Sequence, residues 1–214
     1  DSPVAVTHEP IETWMTRLDR ALRSAISTNL DLALKEYPKM PLRTWLFKWS
    51  GQFVDLVLRI RFTSDLEDVV RVTGQRGLPA YLKKMNRVVE EYSQLSRSRS
   101  TMKPSELLVL SNSIAHELHA RDLVSTMIGE KISTVEELEN FPMFRTTMNA
   151  DHSCHVKMFH VSSRYGFEFC GNTAASLITP EFFRSARGIA LSAVFGGHNM
   201  LHGRHGSGKS ELLR

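Results

Sequence analysis

A helical apolar period that runs from Pro10 to Ile128 constrains the fold of this chain more than any other feature of its sequence. In the first stretch the apolar residues recur every three or four positions, which is typical of one face of a long amphipathic helix: Ile11, Trp14, Met15, Leu18, Leu22, Ile26, Leu30 and Leu34. Pro10 suits the first turn of such a helix, and Pro38 and Pro41 end it. The sequence therefore predicts one helix of about seven turns as the first element.

The same spacing predicts that further helices follow. It is found in residues 42–72, which form one or two helices, and in residues 78–95, 103–128 and 134–140. A polar and basic connector, SRSRSTMK at 96–103, interrupts the pattern. Phosphorylation or contact with an acidic partner is one interpretation of this connector, and an exposed link between two helices is the simpler one. The predicted fold class is mainly α, with an elongated helical bundle.

The pattern changes after Phe141 and predicts a small β element. The stretches HVKMFHV (155–161) and YGFEFCG (165–171) alternate or carry aromatic residues, so we predict two short strands joined by SSRYG. A further helix is predicted to begin at Thr179, a good N-cap with Pro180 at the first helical position, and to end at Gly196-Gly197.

Composition places the chain among ordinary globular proteins. Of its 214 residues 42% are hydrophobic and 23% are charged, and the mean hydropathy is −0.22. A net charge of +4 is too small an excess to imply nucleic acid, and two cysteines are too few for a disulfide framework. Because the sequence has no apolar run of membrane-spanning length and no signal-peptide pattern, we expect a soluble, cytosolic protein without a membrane partner.

A phosphate-binding motif lies near the end of the sequence. Residues 203–210, GRHGSGKS, satisfy the Walker A pattern G-x-x-x-x-G-K-[ST], in which Lys209 reaches nucleotide phosphates and the Ser210 hydroxyl binds Mg²⁺. HNMLHG (198–203) is predicted to be the short strand before this loop, and KSELLR (209–214) the start of the helix after it. A glycine-rich surface turn is the alternative interpretation.

An ATP-hydrolysing module also needs a parallel sheet and an acidic strand, and both would follow such a loop. We therefore expect that the chain is cut within a larger module, contains no catalytic residue and is inactive alone.

Three other groups of residues have side chains that are typical of binding sites. Four metal-type ligands lie within nine residues, but neighbouring positions on a strand-like segment rarely converge on one ion, so a polar hairpin is favoured: His152, Cys154, His155 and His160. A helical pair, His116 and His119, is expected to face solvent or to cap a helix rather than to bind metal. Trp45 and Trp49 could form a stacking platform for a ligand, and core packing is preferred.

Several stretches of the chain resemble the dynein heavy chain family, across the C-terminal part of the linker and into the first AAA+ module. Residues 45–70 are similar to the family's W-x-x-x-W-P-G-Q-V-V segment, with Ser50 in place of proline, and ELHARDLVSTMI (117–128) is similar to V-H-A-R-D-V-V. Residues 165–197 resemble Y-G-Y-E-Y-L-G-N-x-x-x-L-V-I-T-P-L-T-D-R, and GRHGSGKSE resembles G-P-A-G-T-G-K-T-E. Departures from the family pattern include Arg204-His205 inside the loop and EFFRSARG in place of L-T-D-R-C-Y-R.

The resemblance implies roles for individual residues. Six residues of the loop would hold nucleotide phosphates, with Ser210 also on Mg²⁺: Gly203, Gly206, Ser207, Gly208, Lys209 and Ser210. Four residues would line an adenine pocket: Leu177, Ile178, Thr179 and Pro180. Gly166 and a hairpin at 165–172 would join the linker to the ring.

The resemblance also implies a domain organisation and partners. Residues 1–148 would be the helical linker, 149–175 a β-hairpin joint, and 176–214 the truncated start of the first AAA+ ATPase module. The expected cofactors are ATP and Mg²⁺, and the expected partners are microtubules, dynein light and intermediate chains and the rest of the AAA+ ring, but not nucleic acid. Such a motor chain would lie in the cytoplasm on the cytoskeleton, or in the axoneme of a cilium or flagellum.

Two other function classes are alternatives to a motor chain. A stand-alone helical interaction protein would use its apolar helix faces for partners and would have a non-functional loop. A small P-loop kinase is disfavoured, because such enzymes carry the loop near the start of the catalytic domain.

Overall fold

Eight α-helices and one antiparallel sheet make up the part of the chain that the computed structural model describes, residues 4–6, 9–171 and 179–213. The helices are α1 (Ile11–Glu36), α2 (Leu42–Lys48), α3 (Gly51–Thr73), α4 (Leu78–Ser96), α5 (Pro104–Gly129), α6 (Val135–Asn140), α7 (Pro180–Val194) and α8 (Lys209–Leu213). The strands are β1 (Arg145–Met148), β2 (Cys154–Met158) and β3 (Val161–Arg164). The prediction of a mainly α chain is thus confirmed.

The helix boundaries follow from local sequence signals. The helix α3 ends at Gly74, whose φ of 57° is left-handed, and an added Cβ there would lie 3.1 Å from the carbonyl oxygen of Ser133. The helix α6 begins with a capping box, in which the Glu137 amide donates to Thr134 Oγ1 at 3.2 Å and the Thr134 amide donates to Glu137 Oε2 at 3.1 Å. Helices α1 to α6 therefore lie close to where the apolar period and the caps predict them.

Two hydrophobic clusters form the core, and α3, α4 and α5 pass through both. The first cluster includes Leu30, Trp45, Val57, Tyr92 and Leu110. The second includes Leu66, Leu78, Val124, Met127 and Leu138. Since the first half of α3 lies in one cluster with the second half of α4 and the first half of α5, α4 runs antiparallel to the other two helices.

Trp45 is a core residue, as predicted, and not a platform for a ligand. Its side chain is fully buried, its Nε1 donates to the carbonyl oxygen of Ala33 at 3.1 Å, and its ring meets Tyr37 edge-on at 4.7 Å. Trp49 is half-buried, with Nε1 donating to Glu36 Oε2 at 3.2 Å. Both indole N–H groups are therefore used inside the helical bundle.

The described residues cover the second half of the apolar face of α1 more completely than the first half. Ile26 and Leu30 are buried, whereas Ile11 is 66% exposed and Met15 is 58% exposed. The helix forms over its full predicted length, so the apolar period gives the helix but not the extent of its burial.

The sheet differs from the predicted hairpin. It has three strands in the order β1-β2-β3, with Thr146 opposite Val156 and Val156 opposite Ser163. The turn between β2 and β3 lies at Phe159 and His160, inside the stretch predicted to be one strand, and Phe159 adopts a φ of 53°. Residues 165–171 form no strand, so the predicted pair of strands at 155–161 and 165–171 is wrong.

The strand β1 lies against α3 through buried polar contacts. The Thr146 amide donates to Thr63 Oγ1 at 3.0 Å, and both residues are buried. The guanidinium of Arg145 is also buried, and its Nη1 lies 3.4 Å from Glu67 Oε1 and 3.3 Å from Glu139 Oε1. These contacts fix the sheet on the helical bundle.

None of the helices in the described ranges is both long enough and apolar enough to cross a lipid bilayer.

Candidate phosphate-binding loop

The helix α7 precedes the candidate loop and has the predicted caps. The Phe182 amide donates to Thr179 Oγ1 at 3.3 Å, so Thr179 is the N-cap. At the other end Gly196 adopts a φ of 67°, and the Gly197 amide donates to the carbonyl oxygen of Ser192 at 2.8 Å. This bond closes a left-handed C-terminal cap, which ends α7 where the sequence predicts.

Aromatic contacts hold α7 against the rest of the structure. The Phe183 ring stacks on His119 of α5 at 6.2 Å and lies 5.7 Å from Phe144, just before β1. The guanidinium of Arg187 lies 4.8 Å from the centre of the Phe159 ring, at the turn between β2 and β3. The helix before the loop is thus attached both to the helical bundle and to the sheet.

The segment between α7 and the loop forms no strand. Residues 198–203 have no regular secondary structure, so the predicted strand is wrong for this chain. A strand needs a neighbouring strand to pair with its backbone groups. The three described strands, which all come before α7 in the sequence, pair with one another. The start of an AAA+ module is therefore not confirmed by the fold.

The loop itself has the backbone conformation that its glycines permit. Gly206 and Gly208 adopt φ values of 77° and 84°, in the left-handed region that favours glycine. An added Cβ would meet no atom within 4 Å at either position, so glycine is required there by the backbone angle and not by space. At Gly203 an added Cβ would lie 2.9 Å from Ser207 Oγ, so that position is crowded by the opposite side of the loop.

Lys209 lies across the loop at the first position of α8. Its Nζ donates to the carbonyl oxygens of Gly203 at 2.8 Å and Arg204 at 2.7 Å, and lies 3.3 Å from Ser207 Oγ. Ser210 follows at an exposed position, and the Leu212 amide donates to the Gly208 carbonyl oxygen at 3.0 Å, which closes the first turn of α8. The structure thus brings all six predicted phosphate-binding residues into one loop.

This donor set fits an anionic phosphate group. The Lys209 ammonium group already lies at the loop, the Ser207 hydroxyl lies 3.3 Å from it, and the exposed loop is open to a ligand. The loop residues 203–210 include no carboxylate for Mg²⁺, so a serine hydroxyl, predicted to be that of Ser210, is what they offer to that ion.

The predicted adenine pocket is only partly within the described residues. Leu177 and Ile178 lie outside them. The Thr179 hydroxyl is used as the cap of α7, and Pro180 is the first residue of that helix. The assignment of these four residues to an adenine pocket therefore stays a prediction.

Among the residues that the structure describes, no group of three or more metal-type ligands comes together. His152 Nδ1 lies 2.6 Å from Asp31 Oδ2, and Cys154 is buried in the first cluster, where burial raises the pKa of its thiol to about 11. The expectation that His116 and His119 face solvent is wrong. His116 meets Phe62 edge-on at 6.3 Å, and burial lowers the pKa of His119.

Sequence analysis missed the residues that hold the segment after β3, residues 165–171, which we name the exit segment. Gln52 Nε2 donates to Tyr165 Oη at 2.9 Å and to the Glu168 carbonyl oxygen at 2.7 Å, and Gln52 Oε1 accepts from the Cys170 amide at 3.1 Å. Arg23 Nη1 donates to the Gly166 carbonyl oxygen at 2.6 Å and to Glu168 Oε1 at 2.9 Å. Residues 165–171, the described part of the predicted joint, therefore form a segment without regular secondary structure that side chains of α1 and α3 hold, and not a hairpin.

The fold and the loop together define a helical bundle that carries a glycine-rich loop with the Walker A sequence pattern. No family model matches the chain. The chain is 25% identical to mouse dynein axonemal heavy chain 1 over 208 residues, 26% identical to human dynein axonemal heavy chain 3 over 206 residues and 23% identical to human dynein axonemal heavy chain 12 over 204 residues. Each of these matches covers 95% of the chain.

The resemblance to dynein heavy chains that the motifs predict is thus confirmed over nearly the whole chain. The chain spans only 5–6% of the length of these curated relatives. The similarity therefore concerns one short region of a very long protein.

Proposed function

We propose that this chain is the part of a dynein-type motor heavy chain in which the helical linker meets the first nucleotide-binding loop. In the whole protein the loop binds Mg·ATP, and the helical bundle moves in response, so that ATP hydrolysis is coupled to movement along microtubules. The observation that carries this proposal is a Walker A loop with left-handed glycines in a chain similar to dynein heavy chains over 95% of its length.

The residues of the loop have distinct tasks in this proposal. Lys209 exchanges its two carbonyl partners for phosphate oxygens, Ser207 and Ser210 supply hydroxyls, and Ser210 is also the ligand of Mg²⁺. The bound nucleotide supplies the free energy of phosphate-bond hydrolysis. The groups that carry out hydrolysis belong to other parts of the motor.

Exposed apolar side chains near the loop support a larger assembly. Val194, Phe195 and Met200 are 60%, 84% and 90% exposed. Large exposed apolar side chains are typical of a surface that another segment or subunit covers. We infer that the remainder of the AAA+ ring covers these side chains.

The matched relatives also indicate a location. The proteins named above are axonemal dynein heavy chains, so we propose that this chain acts on the microtubules of an axoneme, with dynein light and intermediate chains as partners.

A second candidate is a stand-alone helical interaction protein. The exposed apolar residues Ile11 and Met15 of α1 favour it, because such a face is suited to a partner helix. In that case Mg·ATP would have no effect on the protein.

Titration of the 214-residue chain with a fluorescent Mg·ATP analogue tests the nucleotide proposal. We expect binding that inorganic pyrophosphate competes away, no hydrolysis, and an affinity at least about tenfold lower in Lys209→Ala, because the ammonium group that lies across the loop is lost. Lys83→Ala, on the exposed face of α4, is the matched control and should bind as the unaltered chain does. Equal affinities of Lys209→Ala and the control would contradict the proposal.

The mass of the endogenous polypeptide separates the two candidates. An antibody against residues 10–130 should detect a band far heavier than 24.3 kDa in cell extracts if the chain is part of a motor heavy chain. A single band at 24.3 kDa would favour the stand-alone protein instead.

A further inference from the structure

The exit segment is attached to the helical bundle by two kinds of contact. Its anchor is Phe167, whose side chain is 9% exposed in the first core cluster and meets Tyr165 edge-on at 5.3 Å. The other side-chain contacts are polar, and those of Glu168 and Cys170 are exposed, whereas the contact of Arg23 with the Gly166 carbonyl oxygen is partly buried. These polar contacts are made by Arg23 to Gly166 and Glu168, and by Gln52 to Glu168 and Cys170.

Gln52 pairs with the backbone of the exit segment as a neighbouring strand would. Its amide group donates to the Glu168 carbonyl oxygen at 2.7 Å and accepts from the Cys170 amide at 3.1 Å. These are the two bonds by which a strand holds every second residue of its neighbour. A side chain of α3 thus replaces a strand, and it holds the segment without the cooperativity of a sheet.

Arg23 holds the same segment from α1. One nitrogen, Nη1, donates both to the Gly166 carbonyl oxygen at 2.6 Å and to Glu168 Oε1 at 2.9 Å, while Nε donates to Asp19 Oδ2 at 2.7 Å. The hydrogen bond from Arg23 lowers the pKa of the Glu168 carboxyl group. The side chains of Arg23 and Glu168 are 38% and 58% exposed, so this contact is screened by salt.

The anchor residue itself is strained. Phe167 adopts a φ of 53°, which is unfavourable for a bulky residue and persists only where neighbouring contacts impose it. The Arg23 and Gln52 contacts bind the residues on both sides of Phe167. These contacts therefore hold Phe167 in its strained backbone conformation, and Phe167 would relax from it if the contacts were released.

We propose that Arg23, Gln52 and Glu168 form a reversible clasp, which fixes the direction in which the chain leaves the helical bundle, with Phe167 as the pivot that stays in the core when the clasp opens. The closed clasp is the state in the structure. Opening frees residues 168–171 to swing about Phe167, because all the polar contacts that hold them are on the exposed side of the anchor. This proposal concerns the bundle and the exit segment, and it holds whether or not the loop binds nucleotide.

Hydrogen–deuterium exchange at the Cys170 amide measures the open fraction of the clasp in the full 214-residue chain. Removing the acceptor in Gln52→Ala should speed this exchange about fivefold, the factor that corresponds to one net hydrogen bond. Arg23→Ala should also speed it severalfold, although Arg23 does not touch Cys170, because the two contacts open together. Arg20→Ala, one turn earlier on the exposed face of α1, is the matched control and should leave the rate unchanged.

Gly166→Ala gives a second way to open the clasp without removing a charge. An added Cβ at Gly166 would lie 2.2 Å from Glu168 Oε1, so the carboxylate has to turn away from Arg23. We expect the Cys170 amide to exchange faster in this variant too. Circular dichroism and urea unfolding of each variant verify that the bundle remains folded.

Two results would overturn the proposal. The contacts would be independent, and not one clasp, if Arg23→Ala and Gly166→Ala both left the Cys170 amide at its original rate while Gln52→Ala accelerated it. If the Cys170 amide exchanged at its original rate in all three folded variants, there would be no releasable clasp. In the proposed clasp, by contrast, high salt accelerates the exchange in the unaltered chain and has little further effect in Arg23→Ala.

Discussion

Replacing Gly208 with alanine should change the conformation of the candidate loop without changing the global stability of the chain. The φ of Gly208 is 84°, and an added Cβ there would meet no atom within 4 Å. The cost of the substitution is therefore that of a left-handed backbone in a residue with a Cβ, about 1–2 kcal/mol. A cost of this size lowers the population of the described loop conformation by roughly 5- to 30-fold.

The expected result is a loss of nucleotide affinity without a loss of global stability. If phosphates bind to the loop in its left-handed conformation, the affinity for Mg·ATP falls by the same factor of roughly 5 to 30, because this conformation is then less populated. The midpoint of urea unfolding stays the same, since the loop is exposed and contributes no residue to either core cluster. Fluorescence titration and urea unfolding of the same preparation give both numbers.

Gly188→Ala is the matched control. Gly188 lies on the exposed face of α7, and an added Cβ there also meets no atom within 4 Å, but its backbone is helical. Alanine at this position should leave the affinity unchanged and stabilise α7 by about 0.5–1 kcal/mol. If Gly208→Ala bound Mg·ATP as tightly as Gly188→Ala, the left-handed conformation of the loop would not be the one that binds phosphate.

Three further predictions concern the body of the protein. Trp45→Ala should lower the free energy of unfolding by about 3–5 kcal/mol, because a fully buried indole and its hydrogen bond are lost, and a change below about 1 kcal/mol in urea unfolding would contradict the core assignment. At pH 8 a thiol reagent should modify the exposed Cys170 but not Cys154, because burial raises the pKa of the Cys154 thiol to about 11 and keeps it protonated. Mass spectrometry of the labelled peptides measures both reactions, and modification of both cysteines before denaturation would refute the burial of Cys154. Thr179→Ala should destabilise α7 by about 1 kcal/mol and speed amide exchange in its first turn, whereas Thr179→Ser should preserve the cap and the protection.

The helices could be predicted from the sequence because their signals are local. Apolar spacing and end signals such as Thr134, Thr179 and Gly196-Gly197 act within a few residues, and they place α1 to α7 close to where they lie. The burial of those helices could not be predicted, since it depends on neighbours far along the chain. Ile11 and Leu30 belong to the same predicted face, yet one is exposed and the other is buried.

The strands were predicted poorly because pairing is not local. The strand β1 has the sequence RTTM, which shows no apolar alternation, and its place is set by the hydrogen bond to Thr63 on α3. The aromatic alternation of 165–171 is that of a strand, but the segment is paired with Gln52 instead of with β3. Residues 198–203 have no partner strand among the described residues, so their short apolar sequence does not become one.

The residues of the candidate loop could be named from the sequence, because a Walker A motif is contiguous. Gly203 to Ser210 are close in space for the same reason that they are close in sequence. Arg23, Gln52 and Glu168 could not be found in this way, since more than 100 residues separate Gln52 from Glu168 and nothing in the local pattern of either marks the contact.

The arrangement of α3 through both core clusters has a mechanical consequence. This helix has 23 residues and is about 34 Å long, and each of its halves is clamped by different parts of α4 and α5. A sharp kink between the clusters would disturb backbone hydrogen bonds in three helices at once. We therefore expect the bundle to resist bending between α6 and the end that holds the exit segment.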